Sequence, residues 1–265
     1  MGTRMRKLIH FPCAGETLMG SLDEASGTTG LLIVSGGNEI RMGAHRGMAL
    51  LAARVATAGH PVLRFDRRGI GDSTGENGGF ETTAEDIAAA AKAFRQAGVT
   101  LILGYGNCDA ATALAFFHAS AGIDALLLAN PWTIEATDDL PPAAAIRSHY
   151  AERLKDPKEW LRLMRGGVNI GKVLKGLRKS AQKQSQTPDT LAARLAAALA
   201  SGPPTTILIA KGDNTAIAFA DAYKAPAFEA ARARITIETL DSDSHSFASV
   251  SDKDWLFDRV IAALA

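Results

Sequence analysis

Short apolar and β-branched runs alternate along this chain with longer, alanine-rich runs of helical period. "LLIVSGG" reads as a buried strand ending in a glycine-rich turn, and "GMALLAARVATAGH" as an amphipathic helix closed by Gly59. "PVLRFD" predicts the next strand and "RRGIGDSTGENGG" a loop. "TAEDIAAAAKAFRQAG" predicts a helix with Thr83 as N-cap, Glu85 and Asp86 at its positive end and Gly98 at its C-terminal cap. "VTLILG", "IDALLLANP", "TTILIAKGD" and "RITIETL" complete the strands, while "CDAATALAFFHASAG" and "SDKDWLFDRVIAALA" are helices. "KLIHFP" and "TLMGSLD" look like an antiparallel hairpin ahead of the rest. Alternation of this kind predicts an α/β fold: a mostly parallel, doubly wound sheet with helices on both faces.

One region breaks the alternation. Residues 133–201 are helical in pattern, with "AAAIRSHYAERL", "PKEWLRLMRG" and "TLAARLAAALA" as the candidate helices. They fall between two core strands, where a lid is inserted. The expected division is therefore a core of residues 1–132 and 202–265 and a helical lid of residues 133–201. The basic stretch "KGLRKSAQKQSQTPD" inside it reads as solvated surface.

Composition narrows the class. The 265 residues are 47% hydrophobic and carry a formal charge of +1, enough for a large core and no field of one sign. Neither nucleic acid nor a membrane surface is implied as a partner. No apolar run approaches the roughly 20 residues of a membrane span, and the N-terminal "MGTRMRKLIHFPCAGE" has no apolar signal core. Two cysteines, Cys13 and Cys108, form no disulfide framework and no metal-ligand spacing. A soluble, cytoplasmic protein without metal or cofactor is expected, and the sequence sets no oligomeric state.

In a parallel sheet the loops at the carboxyl ends of the strands meet in one crevice. Candidate chemistry therefore lies at "SGGN", "DRRGIGDS", "GYGNCDA", "ANPW", "KGDN" and "DSHSF". In "GNCDA" small residues stand two before and two after Cys108. That frame suits a sharp strand-turn-helix, a nucleophile elbow of G-x-S-x-G type with sulfur for oxygen and alanine for the last glycine. The positive end of the following helix favours a thiolate. The alternative is a small buried apolar cysteine.

An elbow nucleophile needs an acid and then a histidine, in that chain order. Asp213 follows a strand in "LIAKGDNTA", and His245 follows the last strand in "LDSDSHSFAS". His245 would handle the thiol proton and Asp213 would fix its tautomer. Each alone reads equally well as a turn or loop residue, and Asp241 and Asp243 are substitute acids too close in sequence to His245 to come first. His45, shortly after "SGGN", is a supporting or substrate-facing candidate. Oxyanion donors are expected from amides around Gly37 and Asn38 and from the backbone N–H of Asp109. The Asp109 side chain either caps the helix or opposes a charge on sulfur. Trp132, Tyr150, Trp160, Leu161 and Leu163 would line an acyl pocket or pack the lid onto the core. A GxGxxG fingerprint is absent, as "GYGNCDA" lacks the third glycine, and so is a phosphate-binding P-loop.

These residues carry a resemblance. "FDRRGIGDSTGE", with Asp66, Arg68, Gly69, Gly71 and Ser73, resembles the D-x-R-G-x-G-x-S loop common in α/β-hydrolases. With the elbow, Asp213 and His245 the likeness spans nearly the whole chain. "VSGGNEIRMGAHR", the Cys-Asp-Ala elbow, "LANPW", "HYAERLKDPKEWLRLMRG" and "SHSFAS" more narrowly resemble the exosortase A system-associated hydrolase, type 1. That resemblance implies an α/β-hydrolase fold and a bacterial setting of exopolysaccharide and protein sorting. Cysteine at the elbow is similar to dienelactone hydrolases, although the large insertion is unlike that compact family. The expected activity is acyl hydrolysis, of esterase or thioesterase type, on a small-molecule or lipid-like acyl substrate. An acyltransferase on the same scaffold and a non-catalytic binding partner are the alternatives.

Overall fold

In the computed structural model, residues 6–135 and 190–265 are described. Eight strands form one sheet in the order β1-β2-β4-β3-β5-β6-β7-β8. Strands β1 (Arg6–Cys13) and β2 (Glu16–Asp23) make the expected hairpin, and β2 joins β4 (Val62–Phe65) antiparallel. From there β3 (Thr29–Val34), β5 (Leu101–Asn107), β6 (Ala125–Ala129), β7 (Thr205–Ala210) and β8 (Ile235–Leu240) run parallel. Alternate side chains along a strand face opposite sides, and both sides here are buried. Leu31 and Ile33 of β3 enter one core with Leu103, Tyr105, Leu127 and Leu208, whereas Leu32 and Val34 enter the other with Leu126, Leu128 and Ile207. Central strands therefore read as unbroken apolar runs.

Helices cover both faces. On one side α1 (Gly47–Thr57) packs beside the last helix, α7 (Val250–Leu264). On the other lie α2 (Ala84–Gln96), α3 (Asp109–Ala121) and α4 (Leu191–Ser201). Helix α5 (Asn214–Ala222) follows β7, and the short α6 (Glu229–Arg232) precedes β8. Gly98 closes α2 with φ +98, as its position predicts. Thr83 stands at the N-cap of α2, but its hydroxyl donates to the Phe80 carbonyl instead of capping the helix.

The last predicted helix of the insertion is α4. It buries Leu195, Ala196 and Leu199 in the core beside α3, so these eleven residues are built into the hydrolase-like body. Its start is fastened to the segment that follows β6, because the Leu191 N–H donates to Glu135 Oε1 at 2.6 Å. The chain thus leaves and re-enters the described structure at one place. The other two insertion helices expected from sequence, with Tyr150, Trp160, Leu161 and Leu163, lie outside the described residues. Among the described residues no helix is long and apolar enough to cross a membrane.

Candidate active site

The strand β5 ends at Asn107 and the helix α3 begins at Asp109, leaving Cys108 alone at the turn with φ +63 and ψ −127. A non-glycine residue holds such a backbone only when its surroundings fix it. Here the Cys108 N–H donates to the Ala129 carbonyl at 3.0 Å, and its own carbonyl accepts from Ala111 and from Trp132. Gly106 is the residue the turn cannot change: a Cβ there would lie 2.8 Å from the Ala110 carbonyl carbon and 3.0 Å from the Ala111 nitrogen. The small-x-Cys-x-small frame is thus a packing requirement between the end of a strand and the first turn of a helix. Cys108 is left partly exposed.

His245 lies on the loop after β8, and its Nδ1 is 3.0 Å from Asp213 Oδ1. The Cys108 side chain acts on the same ring. The Asp213 hydrogen bond, then the Cys108 side chain, raise the His245 pKa to about 10 against the opposing effect of burial. The ring consequently holds its proton near neutral pH. Asp213 divides its two oxygens: Oδ1 faces His245, and Oδ2 caps α5 by accepting the Ala216 N–H at 3.0 Å. One carboxylate thus serves both a helix cap and a histidine. Cys108, His245 and Asp213, scattered over 138 positions of sequence, meet in one chain of contacts. Asp241 and Asp243 do not take the histidine.

The loop after β3, where oxyanion donors are expected, has its Gly37 amide already engaged. The Gly37 N–H does not stand free, because it donates to both oxygens of Asp109, at 2.8 and 3.0 Å. Its carbonyl accepts from Arg67 Nη2, so one residue is gripped on both sides. Gly36 has no room for a Cβ, which would lie 2.5 Å from Asp109 Oδ1. The Asp109 carboxylate thus ties the loop after β3 to the elbow. Burial pushes the Arg67 guanidinium below its ordinary range, while Asp109 and Asp86 pull it back up. The Asp109 backbone N–H belongs to the first turn of α3, where amides have no acceptor inside the helix. Asn38 follows on the same loop, and its side-chain oxygen accepts from Asn77 Nδ2 at 2.9 Å.

The two peripheral candidates separate. Trp132 is at the elbow: its N–H donates to the Cys108 carbonyl at 3.2 Å and its carbonyl accepts from Thr112 Oγ1 at 2.8 Å. His45 is exposed, at φ +51 in the short turn before α1, with no hydrogen-bond partner among the described residues. A cleft opens beside that turn, lined by Glu39, Ala44, Met48, Leu51, Asn107 and Phe247 among others. It reaches Asn107, the neighbour of Cys108. The "DRRGIGDS" loop is a support and not part of the reacting group: Asp66 is buried and accepts the N–H groups of Arg41 and Asp72. Among the described residues no group of three or more histidines, cysteines or carboxylates is placed to hold a metal.

Sequence reading passed over Asn107, Asn130 and Arg67. Asn107 counted only as a spacer in the elbow and Asn130 only as part of "ANPW". The available signal was a polar residue directly closing the apolar run "LLLA" at the carboxyl edge of the sheet.

Comparison with known proteins agrees with this fold. Residues 31–259 match the model of the alpha/beta hydrolase family. The fold is similar to the esterase Pf2001 of Pyrococcus furiosus, at 16% identity and TM-score 0.67, over 99% of this chain and 90% of that one. It is similar to the alpha/beta hydrolase GrgF from a Penicillium species, at 17% identity and TM-score 0.64, over 98% of each chain. The thioesterase domain from the curacin biosynthetic pathway aligns at 12% identity and TM-score 0.58, over 98% of this chain and 100% of that domain. No curated protein matches the sequence.

Proposed function

Because this chain belongs to the alpha/beta hydrolase family, we propose that it cleaves activated acyl bonds with Cys108 as nucleophile, His245 as acid and base, and Asp213 as the group that orients His245. The observation that carries this reading is the relay itself: one imidazole bonded at Nδ1 to Asp213 Oδ1 at 3.0 Å, its pKa raised by Asp213 and by Cys108. The raised His245 pKa supports an imidazolium beside sulfur, the pairing that activates a cysteine nucleophile.

The chemistry then balances in two halves. The Cys108 sulfur attacks the substrate carbonyl carbon, forming a C–S bond and placing negative charge on oxygen. That oxyanion takes the Asp109 N–H, with the Asn38 or Gly37 amide as second donor. Gly37 serves once substrate displaces the Asp109 carboxylate from it. Collapse breaks the bond to the leaving group, which takes the proton from His245. Water then attacks the thioester, gives its proton to His245, and the C–S bond breaks to return the sulfur and release the acid. A thiolate leaves more readily than an alkoxide, so plain alkyl esters tend to revert to substrate. Thioesters, activated esters and enol-lactones suit the site better, on a small-molecule or lipid-like acyl group. The resemblance of the elbow and its surrounding motifs to exosortase A system-associated hydrolases supports a role beside bacterial exopolysaccharide systems.

The test is turnover of p-nitrophenyl esters and acyl-CoA thioesters by wild type and Cys108→Ala. Loss of at least ~10³-fold is expected on removing the nucleophile. Equal rates in the two proteins would sink the proposal. Acyl-enzyme that accumulates at Cys108 and clears only on adding an alcohol identifies an acyltransferase. No turnover and no acyl mass at Cys108 leaves the binding-partner reading.

A further inference from the structure

Asn130 is 0% exposed and sits at φ +42 immediately after β6. A buried asparagine in that backbone is costly unless its amide is fully used. Its backbone N–H donates to the Leu208 carbonyl at 2.9 Å. Its Oδ1 accepts the N–H of Ala210 at 2.9 Å, three residues before Asp213. Its Nδ2 donates to Asn107 Oδ1 at 3.1 Å, one residue before Cys108, and reaches the His245 carbonyl at 3.4 Å. Asn107 Nδ2 donates to that same carbonyl at 2.9 Å. One side chain is therefore bonded to the segment that carries the nucleophile, the segment that carries the acid and the main chain of the base.

We infer that Asn130 and Asn107 form a positioning clamp that fixes the register of Cys108, His245 and Asp213. The inference rests on the acyl-transfer reading above. The physical reason lies in the His245 loop, which has no regular secondary structure between Leu240 and Val250. Its ends are secured elsewhere: Gly212 N–H donates to the Ser242 carbonyl at 2.9 Å, Ser242 Oγ to Asp252 Oδ2 at 2.7 Å, and Ser244 Oγ accepts the Ala248 N–H at 2.8 Å. None of these holds residue 245 itself. The two asparagine amides do, through the carbonyl of the very residue whose ring must meet sulfur. Misplacement of a reacting group by about 1 Å costs on the order of 10²-fold in rate.

Only an amide serves here. Asn130 must accept from Ala210 and donate toward Asn107 and His245 at once. Aspartate keeps the acceptor, loses the donor, and turns a charge toward two carbonyl-type oxygens. Alanine leaves the Ala210 N–H and the Asn107 oxygen unpaired. Because the loop ends are held independently, loss of the clamp frees the histidine while the fold persists.

The experiment uses the full chain and three variants: Asn107→Ala, Asn130→Ala and their combination. Turnover of a p-nitrophenyl ester gives kcat and KM. Iodoacetamide labelling of Cys108, followed by peptide mass across pH 6 to 10, reports the coupling of sulfur to the ring without requiring turnover. Asp213 and Cys108 are the titratable groups that face that ring. Asn107→Ala should lower kcat by about 10- to 100-fold with KM within about two-fold. It should also displace the labelling profile in pH, which a merely structural role would not do. The double variant should fall less than the product of the single losses, since both amides hold one carbonyl. If both single variants stay folded, keep kcat within about two-fold of wild type and label with the wild-type pH profile, the clamp is refuted. If Asn130→Ala does not fold, Asn107→Ala decides alone. A failed Cys108→Ala test overturns the function, whereas folded asparagine variants with wild-type kcat and labelling profile overturn only the clamp.

Discussion

The two cysteines put one functional group into two opposite surroundings. Cys13 ends β1, is buried, and its Sγ lies 3.3 Å from Asp86 Oδ1. Burial first, and then the hydrogen bond to Asp86, push its thiol pKa to about 12. Cys108 stands at the start of a 13-residue helix, partly exposed, beside a protonated imidazole. Nothing in the side chain differs; the neighbours decide. A carboxylate over a buried thiol suppresses its ionisation, and Cys108 has no such carboxylate over it among the described residues and is partly open to solvent. Scarcity of cysteine therefore says little about role, and position at the carboxyl edge of the sheet says most of it.

The contrast is broken most sharply by labelling. Iodoacetamide at pH 7.5 should modify Cys108 at least ~10²-fold faster than Cys13, because only the thiolate reacts and Cys13 is buried with its thiol held protonated, whereas Cys108 is partly exposed. Peptide mass after short exposure reads this directly, and equal labelling would mean that burial and charge do not separate the sites. Cys13→Ala should leave kcat within about two-fold of wild type, in contrast with the Cys108→Ala loss. A second effect comes from Asp213→Asn. Asparagine caps a helix about as well as aspartate, so the α5 cap survives and stability changes by less than about 1 kcal/mol. The His245 ring loses its anionic partner, and kcat should fall by about 10²- to 10⁴-fold. A drop in melting temperature that accompanies the loss in kcat would show that the cap, not the relay, is the main duty of Asp213.

Most of the fold was legible because both faces of this sheet are buried. Strands such as "LLIV" and "LILG" are apolar throughout, and the helices between them end at glycines with positive φ, such as Gly59 and Gly98. The relay was legible because its members occupy loops that follow strands, in a fixed order. The contacts that tune the relay were not. Asp109 reaches Gly37 across 72 positions, and Asn107 reaches the His245 carbonyl across 138. Such pairings depend on how the elbow, the loop after β3 and the loop after β8 converge, and no local period encodes them. Asp109 shows the cost of reading a residue locally. Its carboxylate neither caps α3 nor remains a free charge beside sulfur, because it is spent on the Gly37 amide.

The smallest effect sharpens the comparison from the side of the imidazole. In the unfolded chain His245 has the ordinary value of 6.5, and in the fold it is raised to about 10 by Asp213 first and Cys108 next. A folded pKa above the unfolded one means that the native state binds the proton more tightly. Its contribution to stability is then complete below about pH 6.5 and is lost as pH rises toward 10. Cys13 makes the opposite case: its raised pKa keeps the thiol neutral and adds no ion pair. Urea denaturation of wild type and His245→Gln at pH 6, 8 and 10 should therefore show a stability gap that is widest at pH 6 and closes toward pH 10. The side chain is 43% exposed, so solvent screens the pairing and the gap is modest. A gap that widened with pH would mean that the fold prefers the neutral ring, and sulfur would then have no cation beside it to set it apart from Cys13.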